Sequence, residues 1–114
     1  MISIVAIHGM PKDSQAFDSH YENVHTPLVQ RIPGVVNIRY GHVLQRPDAE
    51  SSNYLICDTY FADEASLQKA LASPEMADAL ADVPNFSTGG VTIFFADVAD
   101  YSPQPSAASA GGPA

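Results

Sequence analysis

Four stretches of the chain carry β-branched and apolar residues at strand spacing, and two stretches between them have the period of a helix. Ile2-Ser3-Ile4-Val5-Ala6-Ile7-His8 is apolar on both faces and stops at Gly9, with Pro11 just beyond. It reads as a strand. From Asp13 the period changes: Phe17, Tyr21, Val24 and Leu28 form one helical stripe, with Asp18, Ser19, Glu22, Asn23 and Thr26 on the opposite, polar side. Pro27 falls inside this pattern, lacks a backbone donor and crowds the preceding turn. A kink or restart is therefore expected, with Thr26 as N-cap and Pro27 at the first helical position. Ile32-Pro33-Gly34 ends the element. Val35 to Leu44 alternates as a second strand, a polar loop runs from Gln45 to Asn53, and Tyr54 to Phe61 is the third strand. Ala62-Asp63-Glu64 opens a second helix with acids in its first turn. Ser73-Pro74-Glu75 caps and restarts it as far as about Asp82, and Val91 to Val98 is the last strand.

The order strand, helix, strand, strand, helix, strand predicts an α+β fold: a ferredoxin-like βαββαβ antiparallel sheet with both helices on one face. Two helices cover one sheet face only, yet the strands are apolar on both. In the second strand Val36, Ile38, Tyr40 and Leu44 are expected to point one way and Val35 and Val43 the other; in the last, Val91, Ile93 and Phe95 oppose Phe94, Ala96 and Val98. An uncovered apolar face of this size calls for a partner. A second copy pairing sheet to sheet, as an isologous homodimer, is the simplest one. After Tyr101 the composition collapses to Ser, Pro, Gln, Ala and Gly, so the domain is expected to span residues 1–101 and residues 102–114 to be a disordered tail.

Composition narrows the function. The 114 residues are 46% hydrophobic and 16% charged, enough for one packed core. A formal net charge of −8 makes phosphate backbones and anionic headgroups poor partners, so neither nucleic acid nor membrane surface is expected. The single cysteine, Cys57, allows no internal disulfide and no structural zinc set, and reads as a small buried hydrophobe. The apolar runs are too short to span a membrane. No export signal is visible at the N-terminus, and a cytoplasmic location is expected.

No dinucleotide glycine fingerprint, phosphate loop or nucleophile elbow is present, so no nucleotide cofactor is expected. On a straight helix His20 and His25 sit roughly 140° apart, too far around to ligate one metal together. No metal site is expected. Either imidazole is a boundary residue with one nitrogen hydrogen-bonded, or a general acid/base whose ordinary pKa lies close to neutrality. His8 ends the first strand, where sites open in sheet proteins; His42 lies within a strand. Tyr21, Tyr40, Tyr54 and Tyr60 are core residues with tied hydroxyls, or proton donors to a ligand. Arg39 and Asp58, in neighbouring strands, read as a cross-strand ion pair.

The run Phe17-(three)-Tyr21-(three)-His25-Thr26-Pro27-Leu28, followed by Ile32-Pro33-Gly34 and Tyr40, resembles the EthD family of the dimeric α+β barrel superfamily. Ser73-Pro74-Glu75 and Asp82-Val83-Pro84-Asn85-Phe86 also look like the family's second-helix region. The likeness covers about residues 2 to 100. It implies a ferredoxin-like chain that pairs sheet to sheet and works without a cofactor on small aromatic or lactone-like molecules. His25 matches the family's helix histidine, which implies a catalytic acid/base against a ligand contacting Phe17, Tyr21 and Leu28, with His8, Tyr40 and Tyr60 as further pocket candidates. The expected function is an isomerase or lyase acting on a hydrophobic carbonyl compound. Two alternatives stay open, a cofactor-free monooxygenase and a non-catalytic ligand-binding accessory protein. A purely structural role is open for His25 too: tying the Pro27 kink, where Asn23's carbonyl is freed, to the rest of the fold.

Overall fold

The computed structural model describes residues 1–104; the expected disordered tail lies, from residue 105 onward, outside the described residues. Four antiparallel strands, β1 (Ile2–Gly9), β2 (Val35–His42), β3 (Asn53–Phe61) and β4 (Val91–Asp97), form one sheet in the order β2-β3-β1-β4. This is the ferredoxin-like arrangement. The helices are α1 (Ser14–His20), α2 (Thr26–Gln30), α3 (Glu64–Leu71) and α4 (Pro74–Asp82).

Their starts follow from local chemistry. Asp13, Asp63 and Ser73 stand in extended conformation, and each side chain accepts the backbone N–H three residues on, at 3.1, 2.8 and 3.1 Å.

Between α1 and α2 the structure departs from the expected restart. Thr26 is helical (φ −57°, ψ −44°) and caps nothing. Residues Tyr21–His25 form a π-turn that joins α1 to α2 without a break, and the Thr26 N–H reaches back five residues to the carbonyl of Tyr21. The Thr26 hydroxyl donates to the same carbonyl at 2.8 Å. Pro27 has no N–H to offer, and the wider turn relieves the crowding of its ring against the turn before it.

One sheet face carries the helices. Ile4, Ala6 and His8 of β1 lie on it beside Cys57 and Thr59 of β3, and one core cluster gathers Phe17, Tyr21, Leu55, Cys57 and Phe86. A second gathers Ile32, Phe61, Leu67, Ala70, Met76 and Ala79, with Leu28 packed against it. The other face carries Ser3, Val5, Asp58, Tyr60, Arg39 and Phe94, by their register across the ladders. There Ser3 donates to Asp58 at 3.0 Å; Arg39 stands opposite Asp58, but among the described residues no ion pair joins them.

Two side-chain directions differ from a simple alternation. Val35 pairs with Phe61 and Asn37 with Tyr60, so Val36 is an extra residue in β2 and leaves the face shared by Ile38 and Tyr40. Leu44 lies beyond β2, which ends at His42, and is exposed. Exposed apolar side chains remain on both faces, including Ile56 and Phe94 on the helix-free one.

Candidate active site

The π-turn sets the site. In a helix closed by bonds five residues long, residues five apart come to lie along one side. His20 and His25, which a straight α-helix would separate, therefore point to the same place. That place is the carboxylate of Asp82, at the last turn of α4. His20 Nε2 lies 2.8 Å from Oδ1 and His25 Nδ1 lies 3.0 Å from Oδ2, while Asn85 Nδ2 donates to Oδ1 at 3.0 Å. Asn85 is delivered by the 3-10 turn Val83–Asn85, which Pro84 starts.

Asp82 is only 7% exposed. Burial alone would raise its pKa; hydrogen bonds from Asn85, His20 and His25 outweigh that and hold the carboxyl below its ordinary range. An ionised carboxylate only accepts, so the hydrogen between Asp82 and His25 belongs to Nδ1 of the imidazole. The bare Nε2 of His25 is then an acceptor. It has no hydrogen-bond partner, yet among the described residues no buried side-chain nitrogen or oxygen is left unpaired, so Nε2 is open to the cavity that His25 lines. Burial pushes the His25 pKa down, more strongly than Asp82 pulls it up. His25 is thus neutral at neutral pH, with a free basic nitrogen.

The cavity lies between the sheet and the helices and has a volume of about 70 Å³. His8, Tyr21 and His25 contribute its polar groups together with Cys57 and Thr59; Val29, Ile32, Met76, Ala79 and Val83 make its apolar wall. Leu80 and Ile93, both exposed, border it toward solvent. Tyr21 stacks on Phe17 at 5.6 Å and meets Tyr40 edge-on at 5.0 Å. Burial, reinforced by the neighbouring Cys57, pushes the Tyr21 hydroxyl far above its ordinary pKa, so it stays protonated and can donate. Burial likewise pushes the Cys57 thiol up, away from a reactive thiolate. Phe86 sits against three imidazoles, with ring centroids 5.4 Å from His8, 5.3 Å from His20 and 4.7 Å from His25.

His8, Tyr21 and His25 therefore share one cavity, whereas other residues read as pocket candidates do not line it. Phe17 packs behind Tyr21 in the core, Leu28 belongs to the second core cluster, and Tyr40 braces Tyr21 from outside. Tyr60 is on the opposite sheet face from His25, because it pairs with Ser3 and Asn37 in the register that puts both outward. His42 bonds Asp18 at 2.8 Å on the surface, and the Tyr54 hydroxyl donates to the same Asp18 oxygen. Of the residues that meet here, the sequence reading left His20 open as a boundary residue or an acid/base, gave Asp82, Asn85 and Phe86 only as part of the family-like second-helix region, and assigned no role to Ser87. The usable signal for the first three was an acid at a helix end, an Asn three residues on, and a proline positioned to widen the histidine helix. His20, His25 and Asp82 meet as a hydrogen-bonded cluster; among the described residues no group of three or more His, Cys, Asp or Glu is arranged to hold a metal ion.

Comparison with known proteins agrees with this architecture. The EthD domain matches residues 10–90. The chain belongs to the EthD family. An uncharacterised 11.0 kDa protein from the thcB-thcC intergenic region of Rhodococcus erythropolis is 40% identical over 97 residues, 85% of this chain and 94% of that one. Among solved structures, an ethyl tert-butyl ether d (EthD) family protein from Bacillus halodurans C-125 superposes with a TM-score of 0.80 at 33% identity, covering 87% of this EthD chain and 99% of its own. SnoaB from Streptomyces nogalater, described as a cofactor-independent oxygenase, has a TM-score of 0.64 at 16% identity, with 90% and 97% covered. A dimeric ferredoxin-like protein of unknown function from Thermobifida fusca YX has a TM-score of 0.65 at 14% identity, with 85% and 90% covered. Both of these share the fold with the EthD chain. No helix among its described residues is long and apolar enough to cross a membrane.

Proposed function

We propose that this EthD protein is a small cofactor-independent enzyme of the isomerase or lyase type, acting in catabolism or secondary metabolism on a hydrophobic carbonyl compound or lactone, with His25 as its base. One observation carries the reading: a buried imidazole anchored by Asp82 through Nδ1 leaves its other nitrogen free toward an apolar cavity. Desolvation keeps that nitrogen unprotonated at neutral pH, as a general base requires. Nε2 of His25 takes the proton from carbon adjacent to the substrate carbonyl, and the electron pair moves onto the carbonyl oxygen. The Tyr21 hydroxyl, in the same cavity, hydrogen-bonds that enolate oxygen. Returning the proton to a different carbon completes an isomerisation; expulsion of a leaving group completes an elimination. Among the tyrosines read as core residues or proton donors, Tyr21 takes the donor role here, ahead of the pocket candidates Tyr40 and Tyr60.

The same base can deprotonate an electron-rich substrate ahead of attack by molecular oxygen, the route to a monooxygenase; SnoaB carries that description on the same fold. A binding protein without turnover would use the cavity and leave the base idle. The helix-free sheet face, with Val36, Ile56 and Phe94 exposed, is assigned to a second copy of the chain, and the cytoplasm is the proposed location. A panel of lactones and aromatic ketones incubated in D2O and followed by proton NMR, with oxygen uptake recorded in parallel, tests the reading. Enzyme-dependent exchange at the carbon beside the carbonyl is expected. Binding with no exchange and no product across the panel would sink the enzyme reading in favour of a carrier; oxygen consumption would move it to the oxygenase.

A further inference from the structure

His8 presents a second basic nitrogen to the same cavity, and nothing in the proton transfer above uses it. The side chain is 2% exposed on β1. Its Nδ1 lies 2.8 Å from Ser87 Oγ, and Ser87 Oγ lies 3.2 Å from the carbonyl oxygen of Gly90. The Ser87 hydroxyl donates to that carbonyl, which also accepts from the Gly9 N–H at 2.9 Å. With its hydrogen so directed, Ser87 accepts from His8, which places the imidazole hydrogen on Nδ1 and leaves Nε2 bare. The loop carrying Ser87 is pinned where it needs to be: Gly9 and Gly89 approach so closely that a methyl on either would collide with backbone of the other strand's loop. Like that of His25, the Nε2 of His8 has no protein partner and is not a sealed, unpaired atom, so it is open to the cavity it lines. Burial, with a smaller push from His25, lowers the His8 pKa to about 4, which keeps both imidazoles neutral. The cavity lining contains no Lys or Arg.

Two bare imidazole acceptors in an apolar cavity without a cation select hydrogen-bond donors and reject anions. We propose that the substrate is an uncharged hydroxylated carbonyl compound or its enol, whose acidic hydrogen faces Nε2 of His25 while a separate O–H donates to Nε2 of His8. This rests on the proposed function and names its substrate class; His8 is the residue that sets specificity. At about 70 Å³ the cavity is well below the few hundred Å³ that enclose a whole drug-sized ligand. It therefore takes the hydroxylated end of the ligand, with the remainder lying between Leu80 and Ile93.

Calorimetric binding of catechol, 2-methoxyphenol, 1,2-dimethoxybenzene and benzoate measures this directly, because the first three lose one O–H donor with each methyl added, and the His8 variants below separate the lost donor from the added bulk. Catechol is expected to bind about tenfold tighter than 2-methoxyphenol, one hydrogen bond's worth, with benzoate weakest. In His8→Phe that ratio collapses toward one. Ser87→Ala, which keeps the imidazole but frees its tautomer, reduces the ratio and guards against misfolding of the first variant. Equal binding of catechol and 2-methoxyphenol by the wild-type protein would overturn the inference, as would benzoate binding as tightly as catechol. Either result would leave His25 as base untouched; that reading falls instead if His25→Gln keeps full turnover, whatever the catechol ratio.

Discussion

Asp82→Ala is expected to destabilise the protein by about 4 kcal/mol. The carboxylate holds three hydrogen bonds, from His20, His25 and Asn85, and is buried. Hydrogen bonds to a charged group contribute about 1.5–3 kcal/mol each, and donors stranded without a partner add a desolvation penalty. A full sum is not reached, because Asn85 is exposed and can turn to water. For a domain of this size the loss lowers the melting temperature by about 20 °C. Asp82→Asn, which keeps the shape and one acceptor oxygen, is expected to lose less than half as much. Urea unfolding of the two variants beside the wild type measures both values. A loss under about 1 kcal/mol for the alanine variant would mean that the carboxylate does not tie α4 to the π-turn.

His25→Gln carries the largest expected effect on activity. A positioned general base contributes about two to four orders of magnitude in rate, and glutamine retains a donor toward Asp82 while supplying no base. Turnover on the substrate found in the exchange panel is expected to fall by that factor with KM changed little, and stability to fall far less than in Asp82→Ala. The pH profile has a definite sign. Burial lowers the His25 pKa below its ordinary value of 6.5, so the basic form persists on the acid side of neutrality. The acid limb of kcat/KM is therefore expected to fall off below pH 6.5 and to be missing from the residual rate of the variant. Near-wild-type turnover with a lowered melting temperature would assign His25 to tying the helix bend and take it out of the chemistry.

The contrast between what the sequence predicted and where the side chains stand has a physical basis. Strand order and the helix-covered face were readable because periods of two and of about 3.6 residues are local properties. Val36 escaped because a bulge is a property of the pairing between β2 and β3, and either strand alone looks regular. The separation of His20 and His25 holds for a straight helix; Pro27 disturbs that helix, and does so by a wider turn in place of a break. Tyr60 lies on the helix-free face, a placement set by its register opposite Ser3 and Asn37. Asp82 and Ser87 stand 57 and 79 residues from the histidines His25 and His8 they orient, and no local period spans that distance. Of the residues carrying the family resemblance, Tyr21, His25, Ile32 and Val83 line one cavity, whereas Phe17, Leu28 and Tyr40 do not.

The most direct measurement is long-range proton–nitrogen NMR of the imidazole rings, without ligand, between pH 7.5 and 5. His25 is expected to be neutral at pH 7 with its hydrogen on Nδ1 and Nε2 unprotonated, and the midpoint of its titration to lie below pH 6.5. A His25 ring carrying its hydrogen on Nε2, or already cationic at pH 7, would contradict this, because neither form offers the cavity a base.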